Sequence, residues 1–262
     1  MAIELIDLCS IQLPINYQQV VDSGVQGVYV QCTRYSSTVD YRYDEIVEGF
    51  QKAGLKAIGP YHFCSQATDA IKQVEWFWAH AGKLGTQPGE LPPMLDWEFC
   101  KPGLSPIVCV SWLLTALKRA EELWYPDNYK AHLKTPPEGF IERLPVTYTY
   151  PYFSTQHQPQ LGNTAELAKY PLDFAAYKSE NGKLVPWLPP EDMKPEDMGY
   201  LYRTPKPWTK PLLWQYSGNN GLKTPGIRAD CDRQRFLGSS AEWDLFRGIY
   251  RPADSITYEI KD

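Results

Sequence analysis

Residues Leu91-Pro-Pro-Met-Leu-Asp-Trp-Glu-Phe-Cys100 decide the reading of the whole chain. Two prolines lead into the apolar pair Met94-Leu95, and two carboxylates follow at Asp96 and Glu98. On a β-strand successive side chains point to opposite faces, so Asp96 and Glu98 share one face while Leu95 and Trp97 share the other. Lys101-Pro-Gly ends the strand. Ser105-Pro106 then opens a helix, with serine at the N-cap and proline at the first helical position. The stretch reads as strand, acidic strand end, helix. In α/β barrels the C-terminal strand ends carry the active site, and paired carboxylates are what hydrolysis of a glycosidic bond requires. A solvated acidic loop end would look the same locally, so the flanking sequence has to discriminate.

Upstream, 3–9 reads as a first strand with Asp7 near its end, 16–22 as a short helix, and 25–33 as a second strand rich in β-branched and aromatic residues. Residues 44–53 repeat apolar side chains at helical spacing and stop at Gly54. A third strand follows at 56–63, bent at Gly59-Pro60, and then a helix at 67–84. Downstream of the opening stretch, 107–124 is the longest helix. The rhythm of strand and helix implies parallel pairing with right-handed crossovers. It then loosens. Residues 125–142 read as a long polar loop, 144–150 as a fifth strand, 163–170 as a short helix and 171–177 as a sixth strand. The proline-rich 178–210 has no helical period and reads as a long surface loop. A seventh strand at 211–217, a short eighth at 226–232 and a closing helix or arm after Ser239 complete the chain. Eight strands with too few helices for a regular barrel predict an irregular TIM-like α/β barrel. With no internal repeat or linker, residues 1–262 are expected to form a single barrel domain.

The 262 residues are 43% apolar, enough for a large core. Aromatics are abundant, with 18 Tyr, 9 Trp and 9 Phe, and their flat faces and polar tips suit stacking on sugar rings as well as core packing. The net charge is −5 and no Lys/Arg stripe occurs, which argues against a nucleic-acid partner. No stretch is long and apolar enough to insert in a membrane. The first residues carry acids within the apolar run and lack a basic start, so no secretion signal is read, and synthesis in a cytoplasm is expected. The six cysteines form no Cys-x-x-Cys or Cys/His cluster, so neither a zinc site nor any cofactor is expected, and buried free thiols are the simplest account.

Several stretches, taken together and in order, match one family: Asp7-Leu-Cys-Ser-Ile-Gln12, Asp40, Ala53-Gly-Leu, Gly59-Pro-Tyr-His-Phe63, Leu91 to Glu98, Val146-Thr-Tyr-Thr149, Pro171 to Tyr177, Leu213-Trp-Gln-Tyr-Ser217 and Asp232 to Ser239. In these motifs the chain resembles the glycoside hydrolase family 25 lysozymes, the Chalaropsis-type muramidases, which include many phage endolysins. The likeness spans nearly the whole chain. It departs from the family's pattern at Cys9 (usually Ser), Gln31 (often Lys), Asp173 (usually Trp) and Gln234 (commonly Asn), and in longer loops at 125–142 and 178–210. The resemblance implies cleavage of the β-1,4 bond between N-acetylmuramic acid and N-acetylglucosamine in peptidoglycan.

The residues themselves suggest how. Glu98 is the expected proton donor to the leaving oxygen, its pKa raised by like charge from Asp96, Asp7 and Asp232. Asp96 could polarise the substrate's 2-acetamido group, act as nucleophile, or activate water, and the sequence leaves these open. Tyr61, Tyr148, Tyr177 and Trp214 fall at strand ends and are assigned to substrate contact, with Asp40 as a further candidate. Gln215 alternates away from Trp214, so a regular strand lets only one of them face the site. His62 is expected to be structural. The alternative function is a barrel that binds wall glycan without cutting it, for instance a virion component. A hydrolase of another polysaccharide such as chitin is a third. The lack of an export signal fits a lysin released by another protein or carried on a particle.

Overall fold

The computed structural model describes residues 2–250 apart from 129, 131–132, 134, 136–138 and 219–220. Among these residues eleven strands are present: β1 (Ile3–Leu8), β2 (Val25–Arg34), β3 (Thr38–Val39), β4 (Ile58–Phe63), β5 (Met94–Asp96), β6 (Val146–Thr149), β7 (Leu172–Ala175), β8 (Ser179–Glu180), β9 (Lys183–Leu184), β10 (Leu213–Ser217) and β11 (Asp232–Phe236). Six α-helices accompany them: α1 (Tyr17–Asp22), α2 (Tyr43–Lys52), α3 (Ala70–His80), α4 (Pro106–Trp124), α5 (Pro151–Gly162) and α6 (Ser240–Phe246).

Eight strands close into a barrel in the order β1-β2-β4-β5-β6-β7-β10-β11, and β11 returns to β1. The pairs from β1 through β10 are parallel, whereas β11 is antiparallel to both neighbours. Closure leaves the barrel no open edge, and the irregular TIM-like barrel read from the sequence is the fold observed. β3 adds to β2 as a short antiparallel pair, and β8 and β9 form a separate hairpin. No helix among the described residues is long and apolar enough to cross a membrane.

The strand pleat sorts the core into two shells. Ile6, Val28, Val30, Ile58, Leu95 and Phe174 face outward and pack with Ile46, Phe50, Val74, Phe77, Leu113 and Leu117 of the helices. Ile3, Leu5, Tyr29, Met94, Val146, Leu213 and Phe236 fill the interior. Trp243 of α6 packs on Phe236 at 5.1 Å between ring centroids and covers the end where β1 begins, as the expected closing helix. The turn into α6 is a capping box, Ser239 with Glu242.

Three differences from the sequence reading have physical causes. The polar run 151–162 contains Pro159 and shows no apolar stripe, yet it forms α5, because Phe153 and His157 dock edge-on and tilted against Trp97 at 4.7 and 5.2 Å. The eighth strand is Asp232–Phe236, not 226–232. Its outward residues are arginines rather than apolar, and Arg235 is buried in an ion pair with Glu4 at 2.9 Å while donating to the carbonyls of Pro189 and Pro190. Finally, two cysteines are not free thiols: Cys100 is bonded to Cys109, tying the segment after Glu98 to the first turn of α4, with His157 beside the pair.

The proline-rich segment after β7 stands where a regular barrel places a helix. Its Trp187, Met193, Met198 and Tyr202 pack over Ala176, Trp214 and Tyr216. Gly59 on β4 allows the barrel interior to close: an added Cβ would lie 2.7 Å from Leu91 Cβ and 2.8 Å from Tyr29 Cε1. Gly59→Ala is therefore expected to destabilise the fold by about 1–3 kcal/mol through overpacking, read as a lower urea midpoint with an unchanged slope. An unchanged midpoint would show that the interior relaxes around the methyl group.

Candidate active site

The strand ends that converge at one mouth of the barrel carry polar side chains. Asp7 lies one residue before the end of β1, Tyr61 lies on β4, Asp96 ends β5, Tyr148 is on β6, Tyr177 follows β7, and Gln215 is on β10. Because β11 runs antiparallel, its first residue, Asp232, lies at the same rim. Glu98 sits two residues past β5, on the loop that Cys100 fastens. All eight line one cavity of about 430 Å³, together with Cys9, Ile11, Gln31, Arg34, Phe63 and Met94. A second cavity of about 480 Å³ near α6 is mostly apolar, lined by Phe140, Leu144, Leu212, Leu245 and Phe246, and brings no comparable set of acids together.

The predicted alternation across the opening stretch continues past the strand. Asp96 and Glu98 face the cavity, and Leu95 and Trp97 face the outer core. The four acids expected to meet do so. Asp7 and Asp232 are direct cross-strand partners on β1 and β11, an arrangement that is destabilising when both are charged. The carboxamide of Gln215 lies between them. Its Nε2 donates to Asp7 Oδ2 at 2.9 Å and to Asp232 Oδ2 at 3.3 Å. Its Oε1 accepts from the hydroxyl of Tyr148 at 2.8 Å and from the hydroxyl of Tyr177. Gln234 adds a second amide to Asp7 Oδ2 at 2.9 Å.

Burial and mutual repulsion set the protonation of the cluster. Desolvation pushes Asp7 up to about 6, with the Glu98 charge adding to it and the Gln215 and Gln234 amides holding it back. Asp232 is pushed up to about 9 by desolvation and then by the charges of Asp7 and Glu98. Asp96 is raised well above the usual carboxylate range, again by desolvation first and then by Glu98 and Asp7. Glu98 is raised by burial. Asp173 lies wholly buried in β7, and desolvation, then Asp7, raises it too. Asp7, alone in receiving amide donors from two glutamines, is the member best suited to carry negative charge at neutral pH. Its charge helps keep protons on Asp96 and Asp232. Tyr61 and Tyr148 are buried and Tyr177 half-buried, and all three are raised, so they stay neutral hydroxyl donors.

Two residues assigned to substrate contact lie elsewhere. Trp214 is fully buried on the outer face of β10, where its Nε1 donates to the Ala176 carbonyl at 2.9 Å under the proline-rich loop. The pleat gives the inward position to Gln215 instead. Asp40 is off the cavity and clamps a loop: its carboxylate accepts from the backbone N–H groups of Ser10 at 2.9 Å and Arg42 at 3.0 Å. His62 faces outward, stacks on Phe77, and bonds Thr33 and Gln73. Gln215, weighed against Trp214, and Arg34 are cavity residues that the sequence reading does not assign to the site. Period-two alternation on 213–217 held the signal for Gln215, but nothing in the local sequence held one for Arg34.

A carboxyl whose pKa is higher folded than unfolded takes up protons on folding, so its ionisation costs stability as pH rises between the two values. For Asp7 that window runs from about 3.8 to about 6. Asp7→Asn keeps an oxygen for the glutamine amides and removes the charge. It is expected to stabilise the fold at pH 7.5 by roughly 1–3 kcal/mol, with the gain vanishing below pH 4. Urea unfolding at the two pH values measures this, and a loss of stability at pH 7.5 would contradict the charge assignment.

Comparison with known proteins gives a consistent answer. Residues 6–225 match the family described as Glycosyl hydrolases family 25. The fold is similar to that of a bacterial lysozyme from Streptomyces coelicolor, with a TM-score of 0.71, 21% identity, and coverage of 95% of this chain and 98% of that one. It is similar also to a muramidase from Trichobolus zukalii, at 0.69, 24%, 94% and 99%. A curated relative, an autolytic lysozyme of Clostridium acetobutylicum, is 36% identical over 72 residues, which span 28% of this chain and only 22% of that protein. With a family match over most of its length and the barrel to accompany it, the chain belongs to glycosyl hydrolase family 25.

Proposed function

We propose that the protein hydrolyses peptidoglycan as an N-acetylmuramidase, cutting the β-1,4 bond between N-acetylmuramic acid and N-acetylglucosamine. The observation that carries this is the meeting of Asp7, Asp96, Glu98 and Asp232 in one cavity, at protonation levels burial forces apart. Lysozymes and muramidases share the fold, and one further structure of this fold, an autolysin from Streptococcus pneumoniae, is in complex with a synthetic peptidoglycan ligand.

Breaking a glycosidic bond needs a proton for the leaving oxygen and negative charge near the sugar as it becomes oxocarbenium-like. Glu98 supplies the proton. It is the one acid of the four that sits on a loop at the open side, and it is half-buried, so a glycan can reach it while desolvation favours its protonated form. Asp96 lies deeper on the same face. The positive charge that develops on the sugar favours its ionisation and makes it the carboxylate that steadies the anomeric centre or its 2-acetamido group. Asp7 and Asp232, held by Gln215, set the charge of the pocket beneath. Tyr61, Tyr148 and Tyr177 line the cavity as aromatic contacts for the sugar.

Glu98→Gln should lower release of wall fragments by at least about 100-fold while leaving the melting temperature and wall binding near those of the unaltered protein. Mass spectrometry of the wild-type digest should show reducing muramic acid ends. Reducing N-acetylglucosamine ends would assign the other glycosidic bond. Equal binding by both proteins with no cutting by either would make this a glycan-binding barrel.

A further inference from the structure

The acidic cavity contains one cation whose orientation is set by an irregularity in β2. The pairing of β2 with β4 slips between Gln31 and Thr33. Before the slip the pleat is regular, with Tyr29 in the barrel interior and Val28, Val30 and Cys32 in the outer core. Continued alternation would aim Thr33 inward and Arg34 outward. The bulge reverses this. Thr33 Oγ1 meets His62 Nδ1 at 2.8 Å on the outer side, where His62 stacks on Phe77. Arg34 then turns into the cavity mouth, the one Lys or Arg among the described residues that line it.

Arg34 is not used up by the acids around it. Its Nε donates to Gln31 Oε1 at 2.8 Å, which orients the guanidinium plane, and no described carboxylate lies within ion-pair distance of it. The cluster instead manages its charge with protons and glutamine amides. The two terminal nitrogens of Arg34 are thereby left to a ligand, and a planar guanidinium pairs best with a carboxylate through two parallel hydrogen bonds.

We propose that Arg34 is a specificity-determining residue that recognises a carboxylate on the lactyl branch of the bound glycan. This rests on the muramidase reading. The lactyl ether is what distinguishes a muramic acid sugar from N-acetylglucosamine, and it ends either in its own carboxylate or in a peptide that carries carboxylates further along. Both present the same chemistry to a guanidinium. An acidic cavity without Arg34 would repel either one.

The test measures binding in the Glu98→Gln background, so that glycans stay intact. The probes are peptide-free muramic acid oligosaccharides with a free lactyl acid, the same oligosaccharides as the lactyl amide, and strands bearing stem peptide. Arg34→Gln should raise the Kd for carboxylate-bearing glycan about tenfold and change that for the lactyl amide less than twofold. Arg34→Lys should restore part of the loss. Sensitivity to the free lactyl acid places the recognised group on the sugar, and sensitivity confined to peptide-bearing strands places it on the peptide. Equal losses for acid and amide, or no loss for any glycan, would overturn the proposal, with unchanged melting temperatures excluding misfolding as the cause. Wild-type digestion of cell walls is run alongside. Release of muramic ends together with an inert Arg34 refutes this inference alone, whereas failure to release them refutes the muramidase reading itself.

Discussion

The structure turns on two aspartates placed directly across from each other on antiparallel neighbours, Asp7 on β1 and Asp232 on β11. Like charges in that register repel, and burial leaves little water to screen them. Gln215 and Gln234 answer with amide donors. Burial and mutual repulsion raise both carboxyl groups, so protons relieve the remainder of the conflict. The carboxyl groups that strain the fold are the ones to which the proposed chemistry is assigned, and the closed, well-packed barrel tolerates them.

The reversed direction of β11 follows from this arrangement. In a parallel strand the residue reaching the rim is the last one. In β11 it is the first, so Asp232 stands beside Asp7 while the strand runs away from the site and ends with Phe236 in the apolar plug. The outer side of the same region is also unusual. Among the described residues no α-helix covers β10; the proline-rich loop does so, packing on Trp214 and Tyr216 and accepting Arg235 through two carbonyls. Arg235 pairs with Glu4, whose carboxylate also accepts from the Tyr216 hydroxyl. Under such a loop, buried polar groups are acceptable because they are bonded.

Among the four acids, three are held by strands and one by a loop. That loop is restrained from both sides, by Trp97 inserted against Phe153 and His157 and by the bond from Cys100 to Cys109. Glu98 therefore combines access from the cavity mouth with a backbone held on both sides.

Much of this was legible in the chain itself. Period-two patterning around Asp96, with helical repeats between apolar strands, determined a βα barrel and placed Asp7, Asp96 and Glu98 at its mouth, because strand direction and side-chain alternation are local properties. What local pattern could not carry, the tertiary structure decided. Helix α5 exists because Trp97 offers it a surface. β11 is a strand because Glu4 and two carbonyls neutralise its arginines. Gln215 rather than Trp214 faces the cavity once the loop covers the other side, and Arg34 enters the mouth only because a bulge shifts its register. Each of these depends on a partner distant in sequence, and it is the contact with that partner, not the propensity of the residues themselves, that supplies the free energy.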